Sequence, residues 1–343
     1  MKVFAFILII GSATAIPLNH SKNAVEEDWQ LVPDNDGNMH LVDIRSSNDQ
    51  QEIAPLFNAF NDIIFRLFTR SNPTQAQVIQ INNHAQLASS NFNVNHQTRF
   101  QIHGWNGGGH AGTGAAIRNA YINRGDFNVF TVDWGAGAGT INYVLARNRV
   151  NEAGHVVAQF IDFLNVNGLP FSRIGVLGHS LGAQVAGAAG KRTTRGRVEF
   201  IVGNDPAGPL FSLDDPANRL HHTDANYVEA IITDGGRLGF QHPVAHSNFY
   251  PNWGTAQPGC GPDITGQCGH DRASAFMVES INPAQIFGAI RCRGLDDIRE
   301  RNCVVSGPSR RLGGEPIQDG PANPGSVYFL TTNAASPFAH GPR

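Results

Sequence analysis

The chain has 343 residues, 41% of them hydrophobic and only 15% charged, with a formal net charge of −3. That length suits one large domain or two ordinary ones with a sizeable core. The sparse, nearly balanced charge excludes the basic footprint of a nucleic-acid binder, and 38 glycines point to many tight turns.

Lys2 precedes an apolar run over 3–10, and Ala13-Thr14-Ala15 follows it. A basic start, a short apolar region and an A-x-A site make 1–15 a secretory signal peptide; the alternative is a buried N-terminal strand. The run is too short to span a bilayer and no other segment reaches 18 apolar residues, so a secreted protein without a transmembrane anchor is expected. Residues 16–55 are polar and irregular, a pro-piece or arm, with a glycosylation sequon at Asn19-His20-Ser21. Asp34-Asn35-Asp36-Gly37-Asn38 looks like a calcium loop, but its glycine is fourth rather than sixth and no glutamate closes it. It reads as a turn.

The main domain is expected over 56–343. Runs 63–69, 98–102 and 127–133 read as strands, with a helix over 114–123 between the last two. A longer helical region covers 141–167, where Val156, Val157, Phe160, Ile161 and Leu164 recur at helical spacing. A strand from Ile174 leads into Gly178-His179-Ser180-Leu181-Gly182, and a small-residue helix follows over 183–189. Next come a strand over 198–204, another over 227–233, a loop-rich stretch to Gly269, a helix over 273–281 and a closing strand over 326–332. Strands alternating with helices argue an α/β fold with a largely parallel sheet.

G-x-S-x-G between a strand and a helix is the setting of a nucleophile elbow. The pattern alone also fits a Gly-rich turn with a buried serine. A serine nucleophile needs an imidazole to take its proton and a carboxylate to orient that imidazole, and elbow hydrolases supply them in the order Ser, Asp, His. Asp205 ends the strand over 198–204 and precedes Pro206, the clearest strand-end acid; Asp214, Asp215, Asp224 and Asp234 are rivals in or beside turns. Among His221, His222, His242, His246, His270 and His340, His270 has the most suggestive setting, in a loop beside Cys268 and just before a helix. The N–H of Leu181 and that of Trp105, after the strand over 98–102, are candidate oxyanion donors. His103 reads as a brace for that loop. Cys260, Cys268, Cys292 and Cys303 lack the C-x₂-C spacing of a zinc site and fit an oxidising compartment. Three pairings are possible, and proximity favours Cys260–Cys268 and Cys292–Cys303.

Taken together, His103-Gly104-Trp105, Val132-Asp133-Trp134, Gly178-His179-Ser180-Leu181-Gly182-Ala183, Asn204-Asp205-Pro206-Ala207-Gly208-Pro209, Thr233-Asp234-Gly235-Gly236 and Cys268-Gly269-His270-Asp271-Arg272-Ala273 resemble the pancreatic lipase family, and within it insect neutral lipases and phospholipases A1. The resemblance runs over about 60–340. It implies an α/β-hydrolase fold with helices on both faces of a mostly parallel sheet. It implies Ser180 as nucleophile, Asp205 as acid, His270 as base, and Trp105 and Leu181 as the oxyanion hole. The implied substrate is a lipid ester at a membrane, droplet or micelle surface. The chain is too short for the family's C-terminal β-sandwich, so neither that domain nor a colipase partner is expected, and a monomer is. Only seven residues separate Cys260 from Cys268, which frame the family's lid, and the resemblance implies that so short a lid goes with phospholipid or galactolipid rather than triacylglycerol. Trp105, Phe240, Phe249 and Trp253 are candidate acyl-chain contacts. The family's calcium loop would fall near 219–224, where Asp224 matches a ligand but His221 stands in place of a carboxylate. No bound metal and no cofactor are expected. A non-catalytic lipase-like storage or binding protein is the rival reading, set against by the serine at the elbow.

Overall fold

The computed structural model describes residues 29–34, 38–43, 56–108, 112–140, 142–317 and 323–343. The signal peptide and the sequon lie outside these residues. In chain order the strands are β1 (Trp29–Pro33), β2 (Met39–Asp43), β3 (Ile64–Phe68), β4 (Gln77–Ile79), β5 (Gln97–Ile102), β6 (Phe127–Asp133), β7 (Ile174–His179), β8 (Phe200–Asn204), β9 (Tyr227–Ile231), β10 (Ser247–Pro251), β11 (Gly288–Cys292), β12 (Arg310–Arg311) and β13 (Ser326–Leu330). The helices are α1 (Ala59–Asp62), α2 (His84–Ala88), α3 (Gly112–Arg124), α4 (Gly135–Ala138), α5 (Tyr143–Asn148), α6 (Val150–Val166), α7 (Leu181–Gly190), α8 (Gln267–Ser280) and α9 (Leu295–Arg299).

One sheet carries the domain, in the order β12-β11-β13-β10-β9-β8-β7-β5-β6-β3-β4. From β6 to β13 every neighbouring pair is parallel. Antiparallel pairs flank that block at β3 and β11. β7 and β8 are buried at every residue, so they read as continuous apolar runs rather than alternating ones. α6 is the long helix of the sequence, with Val150, Ala153, Gly154, Val157, Phe160, Ile161 and Leu164 buried along one stripe. Each large side chain of that stripe contributes about 1.5–3 kcal/mol on burial. The expected helix over 141–167 is in fact α5 and α6, separated at Arg149, whose guanidinium donates to Gly137 O at 3.1 Å.

This is the α/β-hydrolase architecture. β5 connects through α3 to β6 on one side, whereas β7 connects through α7 to β8 on the other. The carboxyl ends of β5 and β7 therefore flank a topological switch point, where such sheets open a crevice. The residues after those two strands are 103–105 and Ser180.

Two elements depart from the sequence reading. β10 lies inside the stretch expected to be loop-rich, and it pairs with both β9 and β13. Part of the polar 16–55 segment, β1 and β2, forms an antiparallel hairpin whose Val32 and Val42 join the main hydrophobic core. At its turn Asp34 N–H donates to Asn38 O at 2.9 Å, while residues 35–37 of the expected turn lie outside the description.

Candidate active site

Ser180 sits between β7 and α7 with φ 56° and ψ −124°, a sparsely populated conformation for a non-glycine residue. The neighbours that permit it are glycines for a steric reason. A Cβ on Gly178 would collide with the Gly182 carbonyl, and one on Gly182 with the carbonyls of Ile102 and His103. Ser180 N–H donates to Asn204 O at 3.1 Å, and Ser180 O accepts from Ala207 N–H at 3.2 Å. The elbow is thus tied on both sides to the loop that carries Asp205.

Asp205 is fully buried at the end of β8. Its Oδ1 accepts from Thr233 N–H at 2.8 Å and Asp234 N–H at 3.2 Å. Its Oδ2 lies 2.6 Å from His270 Nδ1. That geometry assigns the proton to Nδ1 and leaves Nε2 as the basic nitrogen. Burial alone would lower the His270 pKa, but the hydrogen bond and charge of Asp205 outweigh it and the pKa is raised.

The placement of His270 corrects the sequence reading. It belongs to the first turn of α8, which starts at Gln267, six residues before the expected helix. Gly266, at φ 80°, turns the chain, and the Asp263 carboxylate accepts from Cys268 N–H at 3.3 Å and Gly269 N–H at 2.7 Å. An aspartate outside the apolar pattern thereby starts the helix. The expected pairs Cys260–Cys268 and Cys292–Cys303 are both disulfides, and the first closes the loop leading into α8.

His179 is a residue that the sequence reading passed over. Buried beneath His270, its Nε2–H donates to His270 O at 3.2 Å, with the rings 4.5 Å apart. Burial and the neighbouring His270 push its pKa down to about 4. It stays neutral and holds the backbone of His270. Its identity as x in G-x-S-x-G was the only available signal.

Across the crevice, a Cβ on Gly104 would lie 3.0 Å from Ser180 Cβ, so the 103–105 turn runs directly beside the serine. Trp134 N–H donates to His103 Nε2 at 3.2 Å, and His103 Nδ1–H donates to Gly104 O at 2.8 Å. His103 is a brace, as its setting in the sequence suggested. Leu181 and Trp105 are buried, and neither N–H finds an acceptor among the described residues. Two unengaged donors flanking a partly buried serine are chemically suited to meet a negative oxygen.

Of the aromatic candidates, Phe240 lies beside the acid loop, its N–H donating to Pro206 O at 2.7 Å. Trp105 is held edge-on by Tyr143 and by its Nε1–H to Thr140 O. The other two pack elsewhere. Phe249 is buried in β10 and stacked on Tyr328; Trp253 stacks on Phe329 at 3.8 Å.

The calcium loop implied by the resemblance holds a donor set of a different kind. Lys191 Nζ lies 2.6 Å from both Asp224 oxygens and 2.7 Å from Arg219 O. Asp224 Oδ2 also accepts from His221 N–H at 2.8 Å. An ammonium already stands among these oxygens, and His221 brings an imidazole where Ca²⁺ wants oxygen. The residues do not fit the ion. Elsewhere among the described residues, the group Cys292, Asp297 and Cys303 has metal-ligand spacing, but its cysteines are joined in the disulfide.

This geometry accords with the comparisons. Residues 36–338 match the family described as Lipase. Lipase member H of Xenopus tropicalis is 32% identical over 288 residues, covering 79% of this chain and 62% of that protein. Lipase member H of Mus musculus is 33% identical over 247 residues, 70% of this chain and 53% of that one. Pancreatic triacylglycerol lipase of Myocastor coypus is 32% identical over 274 residues, 73% and 59% respectively. The chain thus spans somewhat more than half the length of these relatives. With the match extending over nearly all the described sheet and through every residue of the crevice, the chain belongs to the lipase family.

Proposed function

We propose that the chain is a secreted hydrolase of lipid acyl esters that works through an acyl-enzyme on Ser180. The observation that carries this is the Asp205–His270 pair, closed at 2.6 Å and tied to the strained elbow by His179, which donates to His270 O, and by Ala207 N–H, which donates to Ser180 O. His270 Nε2 takes the Ser180 hydroxyl proton as Oγ attacks the ester carbonyl. The oxygen that becomes negative is met by the N–H groups of Leu181 and Trp105. His270 returns the proton to the departing alcohol, and water then attacks the acyl-enzyme by the same route. The disulfides fit an oxidising compartment, and no helix among the described residues is long and apolar enough to cross a membrane.

Phospholipid or galactolipid is favoured over triacylglycerol because only seven residues stand between Cys260 and Cys268, and the resemblance associates so short a lid with phospholipases A1 and galactolipases. The test is fatty-acid release from phosphatidylcholine, a galactolipid and a long-chain triacylglycerol, each with wild type and Ser180→Ala. Ser180-dependent release mainly from triacylglycerol would discard the lid argument and leave the triad. No Ser180-dependent release from any ester would favour the binding-protein reading.

The pH dependence follows from His270. The free base must be neutral and its pKa is raised, so kcat/KM is expected to fall on acidification with a midpoint above the ordinary imidazole value. A midpoint below that value would contradict the Asp205 interaction.

A lipid surface, rather than a small soluble ester, is supported by the hairpin. Trp29, Leu31 and Leu41 are 48%, 56% and 62% exposed on its outer face. The hairpin itself is anchored beside the Cys260–Cys268 loop from its other face, where Gln30 Nε2–H donates to Arg237 O and Arg237 in turn donates to Asp263 O. Leu31→Asp with Leu41→Asp is expected to cut hydrolysis of phosphatidylcholine vesicles by about ten-fold or more while leaving a soluble short-chain ester unaffected. An equal loss on both substrates would remove the lipid-contact role.

A further inference from the structure

The inner face of the same hairpin is occupied differently. Asp34 is buried, and its Oδ2 accepts from Asn106 Nδ2–H at 3.1 Å and lies 3.0 Å from His40 Nε2. Asn38 donates to the same carboxylate from N–H at 2.9 Å and from Nδ2–H at 3.1 Å. Burial would raise the Asp34 pKa, but the bonds from His40, Asn38 and Asn106 outweigh it and bring it down to about 2. The carboxylate is therefore charged at any pH at which the crevice works. The His40 ring stands edge-on to Trp105, with centroids 4.7 Å apart.

Asn106 is the residue after Trp105. It holds a positive φ of 51°, and its N–H donates to Ala138 O at 3.2 Å. Asn106 and the indole of Trp105 are thus held by three groups: the 138–140 backbone accepts from Asn106 N–H and Trp105 Nε1–H, the Asp34 carboxylate accepts from the Asn106 side chain, and the His40 ring stands against the indole. None of these groups reaches Ser180. They hold the turn that carries the Trp105 N–H beside Ser180.

We propose that Asp34 is a positioning residue for ester hydrolysis, holding the Trp105 N–H on the developing oxyanion through its bond to Asn106, with His40 as the wedge against the indole. This makes the hairpin from β1 to β2 a working part of the active site. It rests on the reading above that Trp105 supplies an oxyanion donor. A donor that swings by an ångström loses its bond to the transition state, whereas the ester carbonyl of the bound substrate makes little use of it. The effect should therefore fall on kcat and spare KM.

The experiment compares wild type, Asp34→Ala, Asp34→Asn and Asn106→Gly of the full chain on a soluble short-chain ester. Glycine at 106 accepts the positive φ, so that variant removes the amide without straining the turn. End-point labelling with a fluorophosphonate counts intact sites, and the labelling rate reports the oxyanion hole independently of turnover. Asp34→Ala and Asn106→Gly are each expected to lower kcat per labelled site by about 10- to 100-fold with KM within about two-fold. Together they should cost no more than either alone, because they break one bond. Asp34→Asn keeps an oxygen for Asn106 and should recover part of the loss. If Asp34→Ala fails to fold, Asn106→Gly decides alone. Unchanged kcat and labelling rate, a rise in KM alone, or additive losses would each overturn the proposal. Ser180→Ala run in parallel separates the two readings: activity within about ten-fold of wild type there would sink the mechanism itself, while a loss of several orders of magnitude there beside a normal Asp34→Ala would sink only this inference.

Discussion

Ser180→Ala is expected to lower kcat for ester hydrolysis by about 10⁶-fold, and His270→Ala by a similar factor, with both proteins folded. The size follows from the geometry. Among the described residues Ser180 Oγ is the nucleophile nearest the two unengaged N–H groups, and a hydroxyl at its ordinary pKa does not attack an ester without a base. His270 in turn is useful only while Asp205 keeps its proton on Nδ1. Because the two act in one step, the double variant should be no slower than either single one. Residual hydrolysis about 10³–10⁴-fold above water would remain from the oxyanion donors and substrate binding. Asp205→Asn should be milder, about 10⁴-fold, since the amide can hold the ring but favours the wrong tautomer. The measurement is kcat on a soluble ester beside circular dichroism and thermal unfolding. Ser180→Ala within ten-fold of wild type would remove the nucleophile, and multiplicative losses in the double variant would show that serine and histidine do not work as a pair.

How far these parts were readable from sequence varied with their physical cause. The elbow was legible because its backbone conformation and close approach demand glycine at 178 and 182, and that demand leaves a mark in the sequence. Asp205 was legible because proline after a strand end is equally marked. β10 was not. Its residues, Ser247-Asn248-Phe249-Tyr250-Pro251, look polar and broken, yet all five are buried. Asn248 can be there because its amide donates to Ala245 O and Ser326 O and its oxygen accepts from Ala245 N–H. Such satisfaction is a tertiary fact with no local signature. The hairpin was hidden for the same reason: its buried Asp34 carboxylate is matched by Asn106, 72 residues away. His270 was placed in a loop because the first turn of α8, Gln267 to His270, shows no apolar periodicity. The cap that starts it comes from Asp263, four residues before the helix.

Lys191→Met carries the largest expected effect on stability, about 3–5 kcal/mol at pH 8, or a Tm drop on the order of 10 °C. Lys191 ends α7, and its ammonium is the cation within bonding distance of the fully buried Asp224 carboxylate. The carboxylate cannot move away. The 219–224 loop lies so close to α7 that a Cβ on Gly187 would stand 2.9 Å from Asp224 Oδ2, and Gln184 fastens the loop again by accepting from Leu220 N–H at 2.7 Å. Removing the ammonium therefore leaves a charge in place without its partner, which costs far more than the pair is worth. The sign with pH follows. Burial already pushes Asp224 up to about 6 against the pull of Lys191, and without Lys191 it rises further. Between the ordinary carboxylate value and that raised one, the folded variant binds a proton that the unfolded chain releases, so its stability falls as pH rises through the window. The loss should accordingly be smaller at pH 5 than at pH 8. The same arrangement predicts that EDTA leaves the wild-type Tm unchanged, because the positive charge in this loop belongs to the chain. Thermal unfolding of both proteins at the two pH values, with and without EDTA, tests all of this. An equal loss at both pH values would make Lys191 a packing residue, and a wild-type Tm that drops in EDTA would mean a metal ion competes successfully for Asp224.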